Sequence, residues 1–155
     1  MKIILYLVVL AISVVFLFFA YRNHVTQKNA LEKVFLGGKI PNPSPNGFYK
    51  GTVTGLKTSW QGKKFNSRAS TGINIFRENK KDKEVYPFKT YAGQGLADTE
   101  LKVFKIDYNI SENPFWLRLI LDEIVETAPG KYLGKLHLRV FPGLSFALGY
   151  FQLRK

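Results

Sequence analysis

The chain has no cysteine and only two histidines, His24 and His137. The first absence excludes a disulfide framework, a thiol nucleophile and thiolate metal sites. The second leaves one imidazole outside the N-terminal segment, too few for a transition-metal centre. Acidic residues are scarce as well: 11 Asp and Glu stand against 23 Lys and Arg, a net charge of +12. Proline is sparse except at Pro41, Pro43 and Pro45, where fixed φ and missing donors exclude both helix and ladder. No internal repeat is present, and no low-complexity tract beyond that short proline segment.

Charge is also missing from Ile3 to Ala20, where only Tyr6 and Ser13 interrupt a run of Ile, Leu, Val, Phe and Ala. As a helix this run is about 27 Å long, near the roughly 30 Å hydrocarbon core of a bilayer. Inside lipid the backbone must satisfy its own hydrogen bonds, which a helix does. The sequence therefore predicts a single-pass membrane anchor. A cleaved signal peptide is the rival, but its apolar region is shorter and ends in small-x-small, whereas this run ends Leu17-Phe18-Phe19-Ala20-Tyr21. Arg22, Lys28, Lys33 and Lys39 on the C-terminal flank outnumber Lys2, which leans toward a cytoplasmic domain. A short N-terminus with one lysine fits the opposite orientation.

The expected organisation is an anchor over 1–21, a juxtamembrane helix and proline-rich linker over 22–46, and a folded domain over 47–155. Tyr21 to Phe35 continues as a helix in this reading, ended by Gly37-Gly38. Beyond Gly47 the pattern is strands: 48–54, 60–65, 72–77, 85–91, 101–108, 132–140 and 144–153. Leu101, Val103 and Lys105 alternate with Phe104, Ile106 and Tyr108. The polar run Glu78 to Glu84 reads as a turn, and Phe115 to Glu126 fits either a helix or strands. Short strands at even spacing predict an all-β antiparallel barrel, which leaves no exposed edge.

Within this domain Gly47-Phe48-Tyr49-Lys50-Gly51, Trp60-Gln61-Gly62-Lys63-Lys64-Phe65, Asp122-Glu123, Leu133-Gly134 and Gly149-Tyr150-Phe151 follow one another. In that order they resemble the small lipocalin-like proteins with a GXWXG segment and a companion domain of unknown function. Tyr49 stands where that family carries tryptophan. The resemblance covers about residues 47–155 and implies a calycin-type barrel without a defined activity.

Aromatic residues in the strands and the basic balance point to a barrel that holds a hydrophobic or anionic, lipid-like ligand. Candidate ligand-binding residues are Trp60, Lys63, Tyr91, Phe104, Tyr108, Arg118 and Tyr150. Trp60 to Lys63 read first as architecture, with the indole closing the barrel base by packing and an adjacent cation on its face, and only second as part of a ligand pocket. Asp107, Asp122 and Glu123 are the candidate acidic site, since acid–base chemistry needs carboxylates in contrasting surroundings. No nucleophile stands beside them, so enzymatic function is not expected, and neither is a cofactor or a metal. His137, between Lys135 and Arg139, reads as a solvated rim residue. Tyr91-Ala92-Gly93-Gln94-Gly95 lacks the Gly-Lys-Ser/Thr of a phosphate loop. Asn109-Ile110-Ser111 matches a glycosylation acceptor, relevant in a eukaryotic secretory setting alone. The alternative is an accessory or interaction subunit of a membrane complex with no ligand of its own, so the expected partners are the bilayer and either a hydrophobic or anionic lipid-like ligand or the subunits of such a complex. Nucleic acid is not expected.

Overall fold

A computed structural model describes residues 2–155. Helix α1 runs over Lys2–Gln27 and α2 over Ala30–Leu36. The expected single helix from Tyr21 to Phe35 is broken at Lys28-Asn29, because the Asn29 side chain accepts the Leu31 amide at 2.9 Å and starts α2 afresh. Eight strands follow: β1 (Gly47–Val53), β2 (Trp60–Asn66), β3 (Thr71–Glu78), β4 (Lys81–Gln94), β5 (Lys102–Asp107), β6 (Ile120–Ala128), β7 (Lys131–Phe141) and β8 (Leu144–Arg154). They form a closed antiparallel barrel in sequence order, with β1 paired to β8.

The predicted turn from Glu78 to Glu84 shrinks to Asn79-Lys80, both with positive φ, as a tight two-residue hairpin requires. Its flanking strands carry charges because they stand clear of the core, where Arg77 meets Asp82 at 2.8 Å and Lys83 meets Glu78 at 3.3 Å. The ambiguous stretch from Phe115 resolves into a 3₁₀ turn at Leu117–Leu119 and then β6.

The interior is divided. Tyr49, Phe65, Phe88, Phe104, Ile106, Ile124, Tyr132, Phe151 and Leu153 fill one half of the barrel, and the same core cluster continues through Tyr108 and Leu117 to the border of a cavity. Glycines make room for the rings: a Cβ on Gly134 would fall 2.1 Å from the Phe151 ring, and one on Gly51 would fall 2.4 Å from Trp60. The other half, toward the β1–β2, β3–β4, β5–β6 and β7–β8 loops, is a cavity. We call that end the mouth.

The outer face of β6, β7 and β8 is also buried. Phe35 of α2 packs there with Val103, Val125, Leu133 and Tyr150. Lys135 reaches Glu32 of α2 at 2.9 Å and Asp98 of the β4–β5 loop at 2.8 Å, with its ammonium 4.5 Å from the Phe35 ring centroid. Glu123 accepts the Leu96 amide at 2.8 Å and lies 3.2 Å from His137 Nε2 and 3.5 Å from Lys105. His137 is therefore a fully buried residue rather than a solvated rim residue. Beyond Ile124, β6 has no β5 partner, and Lys39 of the linker takes the free edge through its amide and carbonyl to Glu126 at 3.1 and 2.7 Å.

The C-terminal part of α1 lies along β8. Phe16 and Phe19 pack on Phe146, with centroids 5.6 and 6.0 Å apart. The Asn23 side chain accepts the Ala147 amide at 2.8 Å, and Arg22 donates to the Leu148 carbonyl at 2.5 Å. Residues 2–18 of the helix are exposed.

Candidate functional site: the barrel cavity

Two irregularities of the sheet create the cavity wall. Between Trp60 and Gly62 the β2–β3 register shifts, so that Gln61 is unpaired. In a regular strand, positions 60 and 63 would face opposite sides; the bulge resets that alternation and turns both inward. Gly62 has φ 138°, and a Cβ there would lie 2.0 Å from the Tyr49 carbonyl oxygen, so only glycine fits. A second bulge leaves Tyr86 unpaired between Val85 and Pro87, with φ 58°. Strain of this kind, about 1–3 kcal/mol, persists where surrounding contacts fix the residue. Here the Tyr86 carbonyl accepts from Asn74 at 3.1 Å and its ring packs edge-on against Phe76 and Trp116.

The cavity measures about 390 Å³, within the range of small-molecule sites, roughly 300–1,000 Å³. Its walls are apolar, from Val53, Phe76, Tyr86, Trp116, Ile120 and Leu136. The exception is a buried polar group of Lys63, Asp122, Tyr108 and Asn74. Lys63 Nζ lies 3.0 Å from Asp122 Oδ2 and 3.0 Å from Asn74 Oδ1, and it also donates to the Tyr108 hydroxyl. Tyr108 donates to Asp122 Oδ2 at 3.2 Å and accepts from Asn74 Nδ2 at 3.0 Å. Trp60 Nε1 donates to Asn74 Oδ1 at 3.1 Å. The ammonium is further surrounded by the rings of Trp60, Phe88, Tyr108 and Phe151, each 5.0–5.3 Å away at its centroid.

Burial lowers the Lys63 pKa from its usual value, against the opposing pull of Asp122. Burial raises that of Tyr108 well above normal, and the Asp122 charge adds to it. All three Lys63 protons have partners. Asp122 Oδ1, by contrast, is buried with no hydrogen-bond partner among the described residues. The group thus offers an acceptor, not a donor, to whatever enters.

The candidate residues separate on this geometry. Trp60, Lys63, Tyr108 and Asp122 all line the cavity, and Trp60 stands on its wall rather than closing the barrel base. Tyr150 borders it, but its ring packs with Phe35 outside and its hydroxyl donates to Glu32. Phe104 is in the filled half. Tyr91 is exposed on the outer face, donating to Asp107 Oδ2 at 3.0 Å. Its pKa is pushed up to about 12 by burial of its hydroxyl and the Asp107 charge. Arg118 holds the β5–β6 loop through the Asn113 and Ser111 carbonyls at 3.0 and 2.9 Å.

The three carboxylates do not form one site. Asp122 points inward, whereas Asp107 and Glu123 face outward to different partners. Arg139 grips Asp107 by two bonds of 2.6 and 3.1 Å. Burial alone would raise the Asp107 pKa; Arg139 and the Asn109 amide outweigh it and hold the carboxyl below its normal value. Glu123 is likewise lowered, with burial outweighed by His137, the Leu96 amide and Lys105. Sequence reasoning missed Asn74 and Tyr86 in the site. Asn74 carries a signal: an amide within the apolar strand Ile73-Asn74-Ile75.

Fold and cavity together define a helix-led, eight-stranded antiparallel barrel with one half filled and the other open. Comparison with family models, with curated proteins and with solved structures finds no match.

Proposed function

We propose that this protein is a membrane-anchored barrel that binds a hydrophobic or amphipathic small molecule in the mouth cavity. The carrying observation is Asp122 Oδ1, an unpartnered buried acceptor on an otherwise apolar cavity. An unsatisfied buried oxygen costs about 1–3 kcal/mol, which a ligand hydroxyl or amine would offset. The ligand is thus a largely apolar molecule that places a hydrogen-bond donor next to Asp122. The lipocalin-like resemblance supports the same reading, since such barrels of eight strands hold one small ligand.

Membrane anchoring rests on α1, whose apolar window has mean hydropathy 3.1 and no buried residue. Its packing on Phe146 and its bonds from Arg22 and Asn23 make the helix part of the folded unit, which argues against removal as a signal sequence.

Native mass spectrometry of the full-length protein after gentle extraction tests the reading. The expected spectrum shows a retained amphiphile, absent from a folded Leu136→Trp variant whose indole occupies the cavity. A wild-type protein that is uniformly empty, or an adduct retained undiminished in Leu136→Trp, refutes it.

A further inference from the structure

The direction of α1 along β8 fixes which end of the barrel meets lipid. Strand β8 starts at the mouth with Leu144 and runs away from it. Phe16 and Phe19 contact Phe146, and Arg22 and Asn23 contact the next two residues, so helix and strand run the same way. The exposed N-terminal part of α1 therefore projects past the mouth, not past the filled end. Ile3 to Val15 gives only about 20 Å of helix, short of the roughly 30 Å hydrocarbon core. To span it, Phe16 to Ala20 must lie within the lipid too, and these are the residues against which Phe146 packs.

The mouth itself is built for such a position. Leu56, Phe115, Trp116, Leu119 and Phe141 come from three different loops at this end and are all exposed, Phe115 by 78% and Phe141 by 68%. Tryptophan concentrates at the membrane interface, and Trp, Phe and Leu together form the apolar faces that segments lying in that interface bury. Lys57, Lys80 and Lys81, in loops or the hairpin at the same end, are exposed and form no ion pair among the described residues, which suits an anionic headgroup layer. At the filled end the β2–β3 and β6–β7 turns carry no exposed large apolar side chain among the described residues; the exposed ones nearby are Phe48 of β1 and Val34 and Leu36 of α2, none more than half exposed.

We propose that the mouth is seated in the bilayer interface, so that the cavity opens to lipid and its ligand enters from the membrane rather than from water. This rests on the anchored, ligand-binding reading above. The partner is a phospholipid surface, and the contact is continuous with the anchor.

Because the chain lacks cysteine, single nitroxide labels test this cleanly in the full-length protein. Phe115→Cys and Phe141→Cys probe the mouth, Ala69→Cys the filled end, and Val9→Cys the helix, each reconstituted in phosphatidylcholine–phosphatidylglycerol vesicles. All four sites are exposed, so the fold tolerates the label. The ratio of oxygen to nickel-chelate accessibility is expected to be several-fold higher at 115 and 141 than at 69, and highest at 9. If position 9 lies in lipid while 115 and 141 behave like 69, the seating is wrong and the anchor stands. If position 9 is also aqueous, both fall.

Discussion

Lys63 and Asp122 are both about 3% exposed at their side chains, and removing either strands the other's charge. Breaking a buried ion pair from one side costs about 3–5 kcal/mol, whereas replacing both partners by apolar residues is often neutral or stabilising by ~1–4 kcal/mol. Lys63→Met leaves Asp122 with the Tyr108 hydroxyl alone, and it also removes the ammonium from four aromatic faces. The double variant K63M/D122L strands no charge, since the Tyr108 hydroxyl can turn its proton to Asn74 Oδ1, 3.4 Å away, while still accepting from Asn74 Nδ2, and Asn74 keeps the Trp60 indole. We expect Lys63→Met to lose about 3–5 kcal/mol in urea unfolding followed by tryptophan fluorescence in detergent, and the double variant to regain most of it. The regained fold should no longer retain the amphiphile, because the acceptor has gone. A single variant costing less than ~1 kcal/mol, about the value of an exposed pair, refutes the assignment of a desolvated pair. A double variant that still binds refutes the role of Asp122 in recognition.

Acid unfolding should report Asp107. Its folded pKa lies below the unfolded value, so the unfolded chain binds more protons and stability rises with pH through that window. The stabilisation is complete above the unfolded value and is lost as pH falls through the folded one; Asp107→Asn should flatten this limb, and an unchanged acid slope would count against the Arg139 clamp. Gly134→Val should lower the melting temperature through overpacking worth about 1–3 kcal/mol or more, since its Cβ position lies against the Phe151 ring. An unaltered melting temperature would mean that the filled half is looser than described.

The strand pattern was legible where apolar and charged side chains alternate strictly, as in Phe104, Ile106 and Tyr108 opposite Lys105 and Asp107. It was less legible where strands leave the core: the β3–β4 hairpin reads as a charged turn because neither face of its tip is buried. His137, which stands with Lys135 on one face of β7, was misread for the opposite reason. Alternation shows correctly that they face outward, but not that α2 and the β4–β5 loop cover that face. For the site, Trp60, Lys63, Tyr108 and Asp122 were accessible from residue type. Their convergence was not, because it depends on a bulge that inverts the alternation of β2, and a bulge leaves only a glycine as its trace. Asp107 and Glu123 were grouped with Asp122 by proximity along the chain, which the alternation of adjacent strands undoes.

Separation of a solid half from a hollow half has an evolutionary consequence. Apart from Phe151 and Tyr108, which belong to both, the residues that fill the plug are not those that a guest molecule would touch, so wall positions away from the Tyr86 bulge, such as Val53 and Leu136, can change size or polarity with less penalty to folding. Selectivity can then drift quickly on a conserved frame, and divergent copies would be expected to agree in their plug while differing around their entrance.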